Sequence, residues 1–366
     1  MRRLSLVAGV LVGAAVSFPG AVLAASSHEH YAHHPLHVKP GASSSPTGLS
    51  PATIKSVYTF STLTTAGAGK TIAIVDAYND PTAKADLAVF SSQFGLPACT
   101  TANGCFTKVN QTGGTSYPKT NSGWALEISL DVQWAHAIAP GAHVLLVEAT
   151  TNSFTNLLAA EDYAAAYGQY VSNSWGGSEF SGENAYDSHF SHSGVSFFVS
   201  SGDAGTPAEY PSASPNVISV GGTTLNFDPN GAFTSETGWS GSGGGCSAYE
   251  AATSAQHSFS TFGQVNCGTS RGTPDVSLDA DPSSGVSVYD STRYQGQKGW
   301  FQVGGTSASS PMWAARSADA GAVVNSTYVY GSSITYRDIT SGNNGASCLA
   351  GYDLVTGRGS WTGTTP

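Results

Sequence analysis

From Ile54 onward, short apolar runs alternate with longer stretches of helical periodicity, and this alternation restricts the possible folds more than any other feature of the chain. Residues 71–75, 144–147, 170–172, 196–200 and 217–220 read as strands buried on both faces, and residues 82–94, 123–138 and 154–167 read as helices. Strands separated by helices of this length are the pattern of parallel α/β units, because a parallel neighbour can be reached only through a crossover. The expected fold class is α/β, with a mostly parallel central sheet flanked by helices in three layers. Residues 226–302 read as short strands and loops decorating the same domain, and nothing between residues 49 and 366 reads as an interdomain linker.

Residues 1–24 have the layout of a secretory signal: Arg2 and Arg3, an apolar run, and Val22-Leu23-Ala24 as a small-residue cleavage site. Residues 25–48 carry His28, His30, His33, His34 and His37 beside Pro40 and Pro46 without apolar periodicity, and read as a flexible leader. No later run is apolar for long enough to span a bilayer, so no membrane role is expected. With 24 acidic against 14 basic residues and no basic cluster, nucleic acid is not an expected partner. Charged residues are only 10% of the chain, so a Ser, Thr, Asn and Gly surface loses little when carboxylates protonate, which suits folding in acid. Five cysteines in an exported chain suggest disulfides. Cys99 with Cys105 and Cys246 with Cys267 are the first pairing to consider, leaving Cys348 over, although spacing leaves other connectivities open.

Four fragments carry chemistry. In Gly304-Gly305-Thr306-Ser307-Ala308-Ser309-Ser310-Pro311, two glycines permit a tight turn, and Pro311 fits a first helical turn. Ser307 is expected there as an exposed nucleophile near free backbone N–H groups. Glu127 and Asp131 lie four residues apart on one helical face, among Ala125, Leu126, Ile128, Leu130, Val132 and Trp134. A helix so apolar is mostly buried, and burying two adjacent carboxyls needs a reason. Asp203 follows the apolar 196–200 run, at the carboxyl end of a strand where α/β folds place their chemistry. Ser174-Trp175-Gly176-Gly177 also follows a strand, and its glycines leave room for an extended peptide.

Together, and in their order along the chain, the fragments resemble the sedolisin family of serine-carboxyl peptidases, whose fold is subtilisin-like; the resemblance runs from about residue 49 to about residue 359. It implies a secreted, acid-acting endopeptidase of polypeptide substrates, working as a monomer through an acyl-enzyme. Tripeptide release and a non-catalytic binding protein on the same scaffold are the alternatives. By the resemblance Ser307 is the nucleophile, Glu127 its general base and then acid, Asp131 the group behind Glu127, and Asp203 the acid that donates to the oxyanion. Ser174, Trp175, Gly176 and Gly177 bind substrate, and Asp76 with Trp175 matches an extension of the proton network. A carboxylate can still accept a proton where histidine is already charged. Since Glu127 must accept a proton while Asp203 keeps one, the optimum is expected at about pH 3 to 5. An ordinary subtilisin would need a histidine base, yet His136, His143, His189, His192 and His257 lack the His-Gly surroundings of one. The resemblance also implies one structural Ca²⁺, held by Asp338, the Ile339 and Gly351 carbonyls and Asp353; Leu349 replaces the first glycine of the family's calcium loop. Sedolisins carry a long folded prosegment, for which residues 25–48 are too few, and the stretch between Pro311 and Asp338 is short for the family.

Overall fold

The computed structural model describes residues 29–331 and 334–363, so the expected signal at 1–24 lies outside the described residues. Its centre is a ten-stranded sheet. The path runs Tyr336–Arg337, Ser360–Trp361, Val276–Asp279, Ile218–Phe227, Ser196–Ser200, Tyr170–Asn173, Thr71–Ala77, His143–Ala149 and Phe106–Asn110, with Phe233–Gly238 branching from Ile218–Phe227. Neighbours pair in parallel except at Phe233–Gly238 and Tyr336–Arg337, which are antiparallel. Alternate residues of one strand feed opposite cores: Ile72 and Ile74 join the larger cluster, Ala73, Val75 and Ala77 the smaller. A strand covered on both faces therefore reads as a continuous apolar run.

Helices Ala83–Phe94, Ser122–Ile138 and Thr306–Ala320 pack over one face of the sheet and Phe154–Tyr167 over the other. Ser122–Ile138 is buried on all sides, against Thr306–Ala320, Ala83–Phe94 and the hairpin Val286–Tyr294/Gln297–Gly304. Asn121 caps its start, accepting from the N–H groups of Gly123 and Trp124 at 3.0 and 3.3 Å, a contact worth about 1 kcal/mol. Strands Phe106–Asn110 and Val276–Asp279 were not marked by the sequence pattern. Both expected disulfides form, and Cys348 is free and buried.

Residues 29–48 are not a flexible leader. They run across the domain as a strap: Tyr31 bridges Ser153, His33 bridges Gly176, His37–Val38 pairs antiparallel with Gly304 and Val303, and Ser43 bridges Trp300. Backbone hydrogen bonds to exposed strand edges hold this polar segment, which hydrophobic periodicity cannot reveal.

Candidate active site

The reactive residues collect where the parallel strands end. Asp76 is the last residue but one of Thr71–Ala77, Ser174 follows Tyr170–Asn173, and Asp203 lies just beyond Ser196–Ser200. Ser122–Ile138 lays Glu127 and Asp131 over these strand ends, and Thr306–Ala320 starts there with Ser307 as its second residue. Glu127, Asp131, Asp76 and Ser307 are all 0% exposed. Ser307 is thus covered rather than exposed, because the strap lies over it.

Asp203 is locked in one orientation. Its Oδ1 accepts from the Thr306 N–H at 2.8 Å and the Thr306 hydroxyl at 2.9 Å, so the carboxyl also caps the serine helix. Oδ2 is left aimed into the cleft, 3.3 Å from His37 Nε2. Burial pushes the Asp203 carboxyl up to about 7, against the pull of the Thr306 hydrogen bonds. Gly305, at φ +112°, permits this layout: a Cβ there would overlap the Pro35 carbonyl oxygen and come 2.6 Å from Asp203 Oδ2.

Pro311 sits inside the serine helix, not in its first turn. Lacking an N–H, it leaves the Ser307 carbonyl without its helical donor, and Ser174 Oγ takes that place at 3.4 Å. Burial raises Glu127 well above the usual carboxylate range, reinforced by the charge of Asp131, while the Ser307 hydroxyl favours its ionised form. Burial likewise raises Asp131, which the Ser174 hydroxyl opposes, and Asp76, whose neighbours Asp131, Glu127 and Glu148 push it further. Among the described residues, neither Ser307 Oγ nor the carboxyl oxygens of Glu127, Asp131 and Asp76 find a partner within full hydrogen-bond geometry. Trp175 Nε1 finds none among them either, and its ring packs edge-on to Phe154 at 5.8 Å.

The strap fills the cleft as an extended peptide. His33 donates to the Gly176 carbonyl at 2.8 Å and accepts from the Gly176 N–H at 3.1 Å. Two residues on, the Pro35 carbonyl accepts from the Ser307 N–H at 3.4 Å, on the side where Asp203 Oδ2 waits. His34 sets its ring edge-on to Trp124 at 4.9 Å, with Nδ1 3.5 Å from Glu127 Oε2, and burial lowers its imidazole to about 4. The sequence pattern held no sign of this approach.

The sequence profile of the subtilase family matches residues 101–339. Kumamolisin of Bacillus sp. (strain MN-32) is 29% identical over 87% of this chain, and sedolisin of Pseudomonas sp. (strain 101) is 35% identical over 46%. A solved structure of Pseudomonas sedolisin, a serine-carboxyl proteinase complexed with two molecules of pseudo-iodotyrostatin, superposes with a TM-score of 0.71. That match has 28% identity and covers 87% of this chain and 96% of the other. The chain is a subtilase of the sedolisin family. It spans 63% of the length of the kumamolisin and 33% of that of the sedolisin sequence. The subtilisin-like α/β fold of a sedolisin is thus the fold found here, with Glu127, Asp131, Asp203 and Ser307 in one cleft and Ser174, Gly176 and Gly177 along its wall.

The implied calcium ligands of this sedolisin lie apart from the cleft. Asp338 accepts from the Gly351 N–H with both oxygens, at 3.2 and 3.0 Å, which joins the two segments. Asp353 accepts from the N–H groups of Leu349, Val355 and Thr356. The all-oxygen donor set suits a hard cation, and Asp338 keeps unused lone pairs, whereas the Thr356 hydroxyl joins those three N–H groups on Asp353, so a cation there would have to displace some of them. A different buried group, Asp80, Asp86 and Asp290, brings three carboxylates within 4.8 Å of one another.

Proposed function

We propose that this chain is an acid-acting, secreted serine-carboxyl endopeptidase that cuts polypeptides through Ser307, Glu127 and Asp131. The observation that carries this reading is the strap, a peptide of the chain's own whose Pro35 carbonyl accepts from the Ser307 N–H and shares with Asp203 Oδ2 the space beside Gly305. Placing a carbonyl beside a nucleophile and two donors is the arrangement acyl transfer requires.

In the proposed reaction Ser307 Oγ attacks the carbonyl carbon as Glu127 takes its proton. Asp131 and Asp76 share the charge of Glu127, so the three titrate together and the first proton they lose provides the base. The oxyanion receives hydrogen bonds from the Ser307 N–H and from protonated Asp203. Glu127 then returns its proton to the leaving amine, and water hydrolyses the acyl-enzyme by the same steps reversed. With Asp203 at about 7, the upper limit of activity is near neutrality.

Asp338 and Asp353, with the Ile339 and Gly351 carbonyls, are the residues that would hold a structural Ca²⁺. A chelator is expected to lower the melting temperature, and an unchanged melting temperature would remove the site.

The deciding experiment is hydrolysis of an acid-unfolded protein at about pH 3.5 and 7 by the purified chain and its Ser307→Ala and Glu127→Gln variants. Cleavage in acid that both substitutions abolish is expected. Cleavage surviving Ser307→Ala would refute the assignment.

A further inference from the structure

The strap continues well beyond the three residues that precede the reacting carbonyl. Counting back from Pro35, His33 is the third residue, Ala32 the fourth and His30 the sixth. Glu29, a residue further, still reaches Thr155, accepting from its N–H at 3.4 Å. A cleft that released tripeptides would have to close behind the third residue, whereas this one is occupied past the sixth. Ala32 is buried at 3% exposure within the smaller core cluster.

Two contacts along this stretch involve side chains outside the catalytic set. The antiparallel pairing with Gly176 points His33 at Glu209, with Nε2 3.5 Å from Oε2. Glu209 lies on strand Glu209–Tyr210, which pairs with Gly177–Ser178, so its carboxylate is fixed to the wall that binds the peptide backbone. That side chain is only 12% exposed, and its buried Oε2 takes no hydrogen bond from a described residue. Two glycines make its room: a Cβ on Gly202 would come 2.6 Å from Glu209 Cδ, and one on Gly176 would come 3.1 Å from Oε2. Glu209 is also the main reason that the His33 imidazole holds its proton more tightly than usual. At the sixth position, His30 lies flat on Phe180, with centroids 3.6 Å apart and planes within 12°. Phe180 is braced by Phe154, Tyr186 and Tyr210, and its N–H donates to Glu183 Oε2 at 2.6 Å.

We infer that this cleft selects extended peptides through Glu209, which takes a cationic or imidazole side chain at the third residue before the cut bond, and Phe180, which takes a flat ring at the sixth. The inference rests on the peptidase reading above. A carboxylate held to the wall with its Oε2 buried discriminates because a neutral partner leaves that oxygen unpaired, even though the facing His33 side chain is 55% exposed. A rigid ring face adds stacking without fixing residue identity.

The test uses the purified chain and a peptide with the strap sequence His-Tyr-Ala-His-His-Pro-Leu-His-Val-Lys. Variants of the peptide carry Gln at its third-position His or Ser at its sixth-position His. With the parent, each change is expected to lower kcat/KM by roughly tenfold. Glu209→Gln should level the third-position preference and keep the sixth, and Phe180→Ala the converse. Glu209→Lys should favour Asp over His at the third position, a reversal that misfolding cannot produce. Equal rates for all peptides with a cleaving parent would overturn the inference alone. No cleavage of any peptide by a folded parent would overturn the peptidase reading and this inference with it.

Discussion

Replacing Asp203 by Asn tests the oxyanion assignment with little change of shape. Oδ1 is held by two donors from Thr306, so in Asp203→Asn the amide carbonyl oxygen would take that place and the NH₂ would stand where Oδ2 now faces the cleft. The donor would then exist at every pH. In the parent, with the carboxyl at about 7, Asp203 is protonated in nearly every molecule at about pH 4 and in roughly a tenth at about pH 8. The ionised form removes a donor and sets a negative charge beside the developing oxyanion. Above neutrality the parent should therefore lose about tenfold in kcat/KM per pH unit on account of this group. Asp203→Asn should stay within roughly threefold of the parent in acid and exceed it by up to ~10-fold at about pH 8, while Asp203→Ala should lose ~10²–10³ throughout. The assay is a pH profile of kcat/KM on the strap-sequence peptide. An Asn variant whose upper limb coincides with that of the parent, or which is as weak in acid as the Ala variant, would refute the role.

The strap register predicts self-cleavage in acid between Pro35 and Leu36, giving a new N-terminus at Leu36 by mass spectrometry; an intact parent after acid incubation, or the same product from Ser307→Ala, would contradict it. Gly305→Ala should cost at least ~100-fold in kcat/KM, because its φ of +112° is closed to side chains and its Cβ would occupy the oxyanion position. Circular dichroism should show that variant folded, and near-parent activity would contradict the assigned oxyanion position. Burial raises Glu161 and Asp279 well above their usual range, Glu148 to about 7 and Asp290 to about 8. Each of these groups binds its proton more tightly folded than unfolded, so the stability it contributes is complete below the unfolded value near ~4 and is lost as pH rises through the folded value. The melting temperature should fall between about pH 4 and 8, and a rise over that span would contradict the burial argument.

The sequence by itself determined the parts of this protein that depend on near neighbours. Alternation buried on two faces marked Thr71–Ala77 and His143–Ala149, and helical spacing put Glu127 and Asp131 on one face of Ser122–Ile138. Residue order among four short motifs pointed to the sedolisin family, because glycines, an N-terminal serine and strand-end acids are local requirements. Only the tertiary structure decided what those motifs meet. Asp203 binds Thr306 across a separation of 103 residues, and Pro311 hands the Ser307 carbonyl to Ser174 across 133. The histidine-rich segment reads as a flexible leader because its composition offers no core, yet backbone hydrogen bonds to Gly176 and Gly304 fix it in the cleft. Glu209 and Phe180 belong to no motif and to no apolar period. Their positions come from pairing Glu209–Tyr210 with Gly177–Ser178 and from the aromatic packing around Phe180, and long-range register of that kind is set by geometry that local residue types do not encode.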